Sequence, residues 1–180
     1  MIVPAGEIAS RVAELGKAIT EDYHDRRPLL VAVLVGSLPF LADLVRTIDR
    51  PVEIDFLALS RFGEGGRIRI AMDTATSLEG QDVIVVEDIV DTGLTLAVLR
   101  RLLGERGPAS IATVTLLDKV SRRLVDVPIE YRGFEVGEEF LIGYGLDLGG
   151  RFRNLDSIWS VLEPHTADLD SVARSVREGR

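Results

Sequence analysis

The stretch VIVVEDIVDTGLT, residues 83–95, decides the fold of this chain. It begins with four β-branched apolar residues, a run typical of a strand that is buried on both faces of a sheet. Two acids, Glu87 and Asp88, follow the run, and a turn then leads into a helical pattern. Open parallel sheets bind ligands beyond the carboxyl ends of their strands. We therefore expect both acids to project into a crevice rather than into the core.

The turn after this strand reads Asp91-Thr92-Gly93-Leu94-Thr95. Backbone N–H groups at such a turn, together with the partial positive charge of a helix N-terminus, form a cradle for phosphate. Gly93 lets the backbone approach the phosphate, and Thr92 and Thr95 add hydroxyl donors. Acids ahead of the cradle suit a sugar phosphate, because they would bind either the ribose hydroxyls or a Mg²⁺ ion that accompanies the phosphate. Read locally, the same residues also fit a plain strand, loop and helix capped by Asp91 or Thr92.

Apolar patterns on both sides of the central stretch predict strands that alternate with helices. This alternation predicts an α/β fold with a parallel sheet flanked by helices, followed after Lys119 by a small hood over the crevice. We expect one domain over residues 1–162, hood included, and a polar tail over 163–180. The predicted helices cover 7–23, 40–48 and 96–103, and the predicted strands cover 29–35, 52–60, 67–71, 83–86, 111–117, 129–134, 140–144 and 158–162.

Composition excludes several classes of function. The 180 residues carry a formal net charge of −8, which disfavours non-specific binding to nucleic acid. Cysteine is absent, which excludes disulfides and thiol nucleophiles and fits a cytoplasmic protein. No apolar run approaches the roughly 18 residues that a membrane span needs, and the N-terminus predicts a polar helix rather than a signal peptide. His24 and His165 lie in polar surroundings and predict solvated side chains rather than metal ligands.

Two acids, two apolar residues and then Asp91-Thr92-Gly93 resemble the phosphoribosyl-diphosphate signature of type I phosphoribosyltransferases, in the form of the hypoxanthine-guanine branch. The resemblance runs from about Leu30 to Leu155. It implies a type I phosphoribosyltransferase fold and transfer of the phosphoribosyl group from 5-phosphoribosyl 1-diphosphate to a 6-oxopurine, in purine salvage. It also implies assistance by Mg²⁺, release of diphosphate, a cytoplasmic location and assembly into dimers or tetramers.

The resemblance assigns roles to residues at separate places along the chain. Asp91 matches the acid near the purine N7, the proposed general base, and Lys119 matches the lysine that contacts the exocyclic O6. An ammonium group has donors only, so it favours an oxo group over an amino group. The planar fork of Arg153 suits the diphosphate. Glu87, Asp88 and Asp147 are implied both to bind substrate and to hold the metal ion. The other implied substrate-binding residues are Thr92, Gly93, Leu94 and Thr95 at the 5′-phosphate; Phe140 and Leu141 at the purine; and Val35, Gly36 and Ser37 at the diphosphate.

Local reading leaves alternatives open for two of these residues. On position alone, Lys119 also fits a surface lysine at a strand end, and Phe140 also fits a residue of the core.

The chain departs from the family pattern in two loops. Val35 stands where the family usually has Lys or Arg, and the peptide bond ahead of Gly36 is often cis in the family. The mobile loop has Arg61-Phe62 where the family usually has Ser-Tyr. We hypothesise that Arg61 supplies the cation lost at Val35. These departures leave two alternatives open: a non-catalytic nucleotide-sensing regulator with this fold, and the same reaction with xanthine or another base.

Overall fold

A computed structural model describes residues 1–62, 67–162 and 168–179, and at positions 61, 62 and 67 it describes the backbone only. Helices and strands alternate through the first two thirds of the chain, except that β2, β3 and β4 follow one another without a helix between them. The helices are α1 (Ala5–Asp22), α2 (Leu38–Thr47), α3 (Leu94–Gly104) and α4 (Leu169–Arg177), with a short 3₁₀ turn at Val120–Arg122; the strands are β1 (Leu29–Leu34), β2 (Glu53–Phe62), β3 (Arg67–Met72), β4 (Asp82–Val90), β5 (Ser110–Asp118), β6 (Tyr131–Glu135), β7 (Phe140–Ile142) and β8 (Trp159–Val161).

Six strands form the main sheet in the order β3-β2-β1-β4-β5-β6. Strand β3 is antiparallel to β2, and every other neighbouring pair is parallel. The chain moves from β1 to β2 on one side and returns to place β4 on the other side of β1. The order of strands therefore reverses between β1 and β4, and ligands bind at such a switch point in open α/β sheets.

Alternate residues of the central strands face opposite layers of helices. Ile84 and Val86 of β4 belong to the core cluster that contains the buried faces of α1 and α2. Val83 and Val85 belong to the second cluster, with Leu96, Leu99 and Leu103 of α3. A strand with both faces covered has to be apolar at every position, which explains the unbroken run. The predicted α/β sheet with helices on both faces is confirmed.

The segments after Lys119 divide between two sheets, and here the prediction was partly wrong. Strand β6 begins at Tyr131 rather than at residue 129 and joins the main sheet, parallel to β5. The hood consists of β7 and β8, which form an antiparallel pair, and of the connection between them. Val3, near the N-terminus, bridges to Ile158 just before β8 and ties the hood to the start of α1.

Helix α2 begins two residues earlier than predicted, at Leu38 instead of Phe40. Pro39 lies in its first turn, where the missing N–H has no helical partner to lose. The predicted helix began after Pro39 because proline usually interrupts helices, but proline is tolerated in the first turn of a helix.

Helix α4 is a regular amphipathic helix within the segment 163–180, for which the sequence predicted a polar tail. The carboxylate of Asp168 caps it by accepting hydrogen bonds from the backbone N–H groups of residues 170 and 171. Val172 and Val176 pack against the hood cluster formed by Ile142, Trp159 and Val161. This packing stabilises a helix whose remaining residues are mostly polar. The boundary at residue 162 between domain and tail stays a prediction.

Asp55 ties β2 to the connection that precedes β4. Its carboxylate accepts hydrogen bonds of 2.7 Å from the backbone N–H groups of Phe56 and Thr76. Burial opposes ionisation of Asp55, but these hydrogen bonds outweigh it and hold the pKa of the carboxyl below its usual range.

None of the helices in the described ranges is both long and apolar enough to cross a bilayer.

Candidate active site

Three loops meet at the switch point between β1 and β4. A Cβ atom on Gly36, in the loop after β1, would lie 1.6 Å from Oδ2 of Asp88. A Cβ atom on Gly145, in the hood, would lie 1.9 Å from the carbonyl oxygen of Gly36. Only glycine permits approaches this close, so the two glycines let the loop after β1, the acids of β4 and the hood converge.

The turn after β4 has the geometry expected of a phosphate cradle. Gly93 has φ +81°, in the left-handed region that favours glycine, and it precedes the first residue of α3. Its carbonyl accepts the N–H of Ala97, so the helix starts at once. Thr92 and Thr95 are half-buried, and Leu94 is exposed. The N–H groups of the first turn therefore face the crevice end of the sheet, where an anion is stabilised.

The two acids of β4 differ in their surroundings. Glu87 is only 7% exposed, whereas Asp88 is half-buried, so Asp88 is the more accessible of the two acids. Burial and the charge of Asp88 raise the pKa of Glu87 well above its usual range. Burial also raises the pKa of Asp88, opposed by the N–H of Ile89, which donates to Asp88 over 2.8 Å. A cation bound beside these acids would favour their ionised forms.

Asp91 lies in an ion pair at the start of the cradle. Nε of Arg122 donates to Oδ1 of Asp91 over 2.5 Å, and both side chains are about two-fifths exposed, at 41% and 44%. The base predicted from the sequence is thus accessible from solvent.

Lys119 is 6% exposed, which rules out the alternative of a surface lysine. Its Nζ donates to the carbonyl of Glu139 over 2.6 Å and to that of Glu138 over 3.4 Å. Burial lowers the pKa of this ammonium group, and the charge of Asp91 partly offsets the effect. The lysine therefore points toward the segment that leads into β7, the predicted purine site.

The hood presents the residues assigned to the purine and the diphosphate. Phe140 is 37% exposed, so it is not a core residue, while Leu141 is buried. Within the described residues, β7 pairs only with β8, so its other edge is available to bind the edge of a base. Arg153 forms an ion pair of 2.6 Å with Asp147 and donates to the carbonyl of Gly145 over 2.6 Å.

The loop after β1 holds the remaining predicted contacts. The cis peptide bond lies between Leu34 and Val35, one bond earlier than the bond into Gly36. Val35 is 56% exposed. Ser37 is buried, and its hydroxyl donates to the carbonyl of Val33 over 2.7 Å, so its side chain serves the fold. Arg61, hypothesised to supply the cation lost at Val35, and its neighbour Phe62 have side chains that lie outside the described residues.

Sequence reasoning missed a buried carboxylate beside Lys119. Asp118 is 0% exposed, and its Oδ1 accepts hydrogen bonds from Nε and Nη2 of Arg123 over 3.0 and 2.7 Å. Nε of Arg132 lies 2.7 Å from the other oxygen. An acid at a strand end followed by two arginines was the available signal, but the sequence alone did not indicate which arginine it pairs with.

The carboxylates of the site fit Mg²⁺ in the manner used by phosphate-transferring enzymes, in which one or two acids bind the ion and substrate phosphates supply other oxygens. Asp147 and Arg153 both act electrostatically on Asp88, so the acids of β4 and of the hood are close together. Within the described ranges, no group of three or more His, Cys, Asp or Glu side chains is placed to hold a metal. Asp88 and Asp147 suit such an ion better than the buried Glu87.

A mostly parallel sheet with this switch point, acids at its edge and a glycine turn that opens a helix define the phosphoribosyltransferase class. Residues 1–148 match the family described as phosphoribosyl transferase domain.

Comparison with individual proteins identifies the branch. The chain is 45% identical over 168 residues to hypoxanthine phosphoribosyltransferase of Salmonella typhimurium, covering 90% of this chain and 94% of the relative. It is also 45% identical over 168 residues to hypoxanthine-guanine phosphoribosyltransferase of Bacillus subtilis, covering 91% and 93%. The chain belongs to the hypoxanthine-guanine phosphoribosyltransferase family, which confirms the resemblance seen in the sequence.

Solved structures agree. A hypoxanthine-guanine phosphoribosyltransferase of Bacillus anthracis superposes with a TM-score of 0.87 at 38% identity, covering 90% of this chain and 98% of the other. A mutant hypoxanthine phosphoribosyltransferase of Trypanosoma cruzi, in a ternary complex with substrates, gives a TM-score of 0.88 at 38% identity, covering 93% and 97%. The fold predicted from the central stretch is therefore the fold of these enzymes.

Proposed function

We propose that this protein transfers the phosphoribosyl group from 5-phosphoribosyl 1-diphosphate to N9 of a 6-oxopurine, giving the nucleoside monophosphate and diphosphate in purine salvage. The observation that carries the proposal is the placement of Lys119, buried at the end of β5, beside Asp91 at the start of the cradle. Lys119 supplies a hydrogen-bond donor that selects an oxo group, and Asp91 supplies a base; they follow the neighbouring strands β5 and β4. The cradle for the sugar phosphate begins at Asp91.

The reaction breaks the bond between C1 of the ribose and the diphosphate oxygen while N9 of the purine bonds to C1. Positive charge builds on the ribose, so the site has to stabilise the departing diphosphate and exclude water. Arg153 suits the diphosphate because its planar guanidinium binds two oxygens at once. Asp91 accepts the proton that the purine loses from N7 as the new bond forms.

The other ligand contacts follow from the same placement. The N–H groups of 92–95 bind the 5′-phosphate, Phe140 stacks on the purine, and the open edge of β7 at Leu141 binds the purine edge. Mg²⁺, held by Asp88 and Asp147, would add positive charge at the leaving diphosphate. Glu87, next to Asp88 in the chain, binds a ribose hydroxyl.

Two alternatives give different results in one assay. The protein is mixed with phosphoribosyl diphosphate, Mg²⁺ and hypoxanthine, guanine, xanthine or adenine, and nucleotide formation is followed. Turnover with hypoxanthine or guanine supports the proposal, and turnover with xanthine alone reassigns the base. No turnover, together with binding of nucleotide, supports the regulator that the altered loops at Val35 and Arg61-Phe62 suggest.

The Asp91→Asn variant tests the base directly. We expect turnover to fall at least about 100-fold, the usual contribution of general base catalysis. Binding of phosphoribosyl diphosphate, measured by calorimetry, should be largely retained because the cradle consists of backbone groups. Unchanged turnover would show that the base is another residue. The cytoplasmic location and the dimeric or tetrameric assembly stay predictions, and size-exclusion chromatography measures the assembly.

A further inference from the structure

The segment that follows β5 runs along the phosphate turn and contacts it residue by residue. The N–H of Leu124 donates to the carbonyl of Thr92 over 2.9 Å. A Cβ atom on Gly93 would lie 3.1 Å from both Nη1 of Arg123 and the carbonyl of Val125. The cradle is thus backed by residues 122–125, which fix its position relative to β5.

This backing segment is anchored to the core. The N–H of Lys119 donates to the carbonyl of Val90 over 2.9 Å, and a 3₁₀ turn then places Arg122 above the end of β4. The next residue, Arg123, is only 15% exposed and makes two hydrogen bonds to the fully buried Asp118. A guanidinium held at two points by a buried carboxylate is a rigid anchor. The backbone that carries Arg122 is therefore held in place on both sides.

From this anchored backbone, Arg122 reaches Asp91. Its Nε donates to Oδ1 over 2.5 Å, and within the described part of the chain Oδ2 of Asp91 has no hydrogen-bond partner. One oxygen of the carboxylate is thus held, and the side chain as a whole is 44% exposed.

We infer that Arg122 is a positioning residue: it orients the carboxylate of Asp91 so that Oδ2 receives the proton from N7 of the purine. The inference rests on the proposed function and adds a residue to which the sequence assigned no role. A base has to lie within hydrogen-bond reach of the proton it takes, and an aspartate side chain without this contact can rotate. Arg122 acts through Asp91 and does not itself touch the reacting atoms.

The same pair contributes little to stability. Both partners are about two-fifths exposed, and ion pairs of this kind are weak because water screens them. Removing Arg122 should therefore reduce turnover without unfolding the protein, which separates an orienting role from a structural one.

The first test compares Arg122→Ala with a matched control, Arg101→Ala. Arg101 forms an exposed ion pair with Glu105 on α3, away from the loops that meet at the switch point. We expect Arg122→Ala to lower kcat about tenfold, which is less than the loss of at least about 100-fold expected when the base itself is removed in Asp91→Asn. The KM values for both substrates and the melting temperature should stay unchanged, and Arg101→Ala should match wild type.

The second test asks whether Arg122 acts through Asp91. In an Asp91→Asn background, adding Arg122→Ala should change kcat by less than about twofold, because the group that Arg122 orients is already gone. Guanidinium ion at millimolar concentration should restore part of the turnover of Arg122→Ala, since the site is open to solvent, and should not affect Arg101→Ala. Arg122→Lys should retain intermediate turnover.

Three results would overturn this inference while leaving the proposed function intact. They are a kcat of Arg122→Ala equal to that of wild type, a kcat higher than that of wild type, and a double variant whose loss of kcat equals the product of the losses of the two single variants. A faster variant would mean that the ion pair blocks the base. An inactive wild-type enzyme with every purine overturns the proposed function and this inference with it, so the two failures are distinguishable.

Discussion

Replacing Lys119 by Met tests how the site selects an oxo group. The ammonium group has three N–H donors, and the structure shows two of them directed to the carbonyls of Glu139 and Glu138. The third is available for the exocyclic oxygen of the purine. Methionine has a similar length and fits the buried space of the stem, but it donates no hydrogen bond.

The magnitude follows from the burial of Lys119. A hydrogen bond to a charged group contributes about 1.5–3 kcal/mol, and a group that is 6% exposed needs little discount for solvent. Since 1.4 kcal/mol is a factor of ten, kcat/KM for hypoxanthine should fall about ten- to 150-fold. The loss should be confined to substrates with an oxygen at position 6.

The assay compares hypoxanthine with unsubstituted purine, which has no group at position 6, for wild type and variant. We expect the ratio of the two kcat/KM values to fall by the factor above, with kcat/KM for purine changed by about threefold at most. Burial lowers the pKa of Lys119, so this ammonium group loses its proton at a lower pH than an ordinary lysine does. As the pH is raised, the preference of wild type for hypoxanthine should therefore begin to weaken earlier than it would with an ordinary lysine. Equal losses for both bases would refute the reasoning, because they would mean that Lys119 only holds the backbone of Glu138 and Glu139.

Three further predictions concern the fold and the loops around the site. Asp55→Asn should cost about 1–2 kcal/mol, a fall of about 2–8 °C in melting temperature, because an amide cannot accept both backbone hydrogen bonds. The pKa of Asp55 is lower in the folded than in the unfolded protein, so the stabilisation by this carboxylate is present above about pH 4 and is lost as the pH falls further. The melting temperatures of wild type and variant should therefore converge as the pH falls below about 4. Gly36→Ala should lower kcat/KM for phosphoribosyl diphosphate about tenfold or more, since the new Cβ displaces the carboxylate of Asp88; wild-type kinetics would show that the loop shifts freely. Replacing Val172 and Val176 together by Asp should detach α4 from the hood, and faster hydrogen exchange over 169–177 would show it; unchanged exchange would mean that this packing does not hold the helix.

The sequence by itself determined the elements whose pattern is local. The four β-branched residues of β4 could only be a buried strand, and a glycine after acids at the end of such a strand required a turn into a helix. The resemblance then assigned Asp91, Lys119 and Arg153 by their order along the chain, and in the structure Asp91 lies near enough to Lys119, and Arg153 to Asp88, for their charges to interact. The predictions of β4 and α3 succeeded because they depend on spacing within one strand or one helix, whereas the roles of Asp91, Lys119 and Arg153 stay predictions.

Only the tertiary structure decided which distant side chains pair and which of them are buried. Strand β6 joins the main sheet through its parallel pairing with β5, and α4 is stabilised by apolar contacts with the hood. Neither contact can be predicted from the local sequence pattern of the segments that make it. The burial of Glu87 and the ion pair of Asp91 with Arg122 likewise arise where segments remote in the chain meet. The free energy of such contacts comes from desolvation and geometry in three dimensions, so it is settled only once the sheet has assembled.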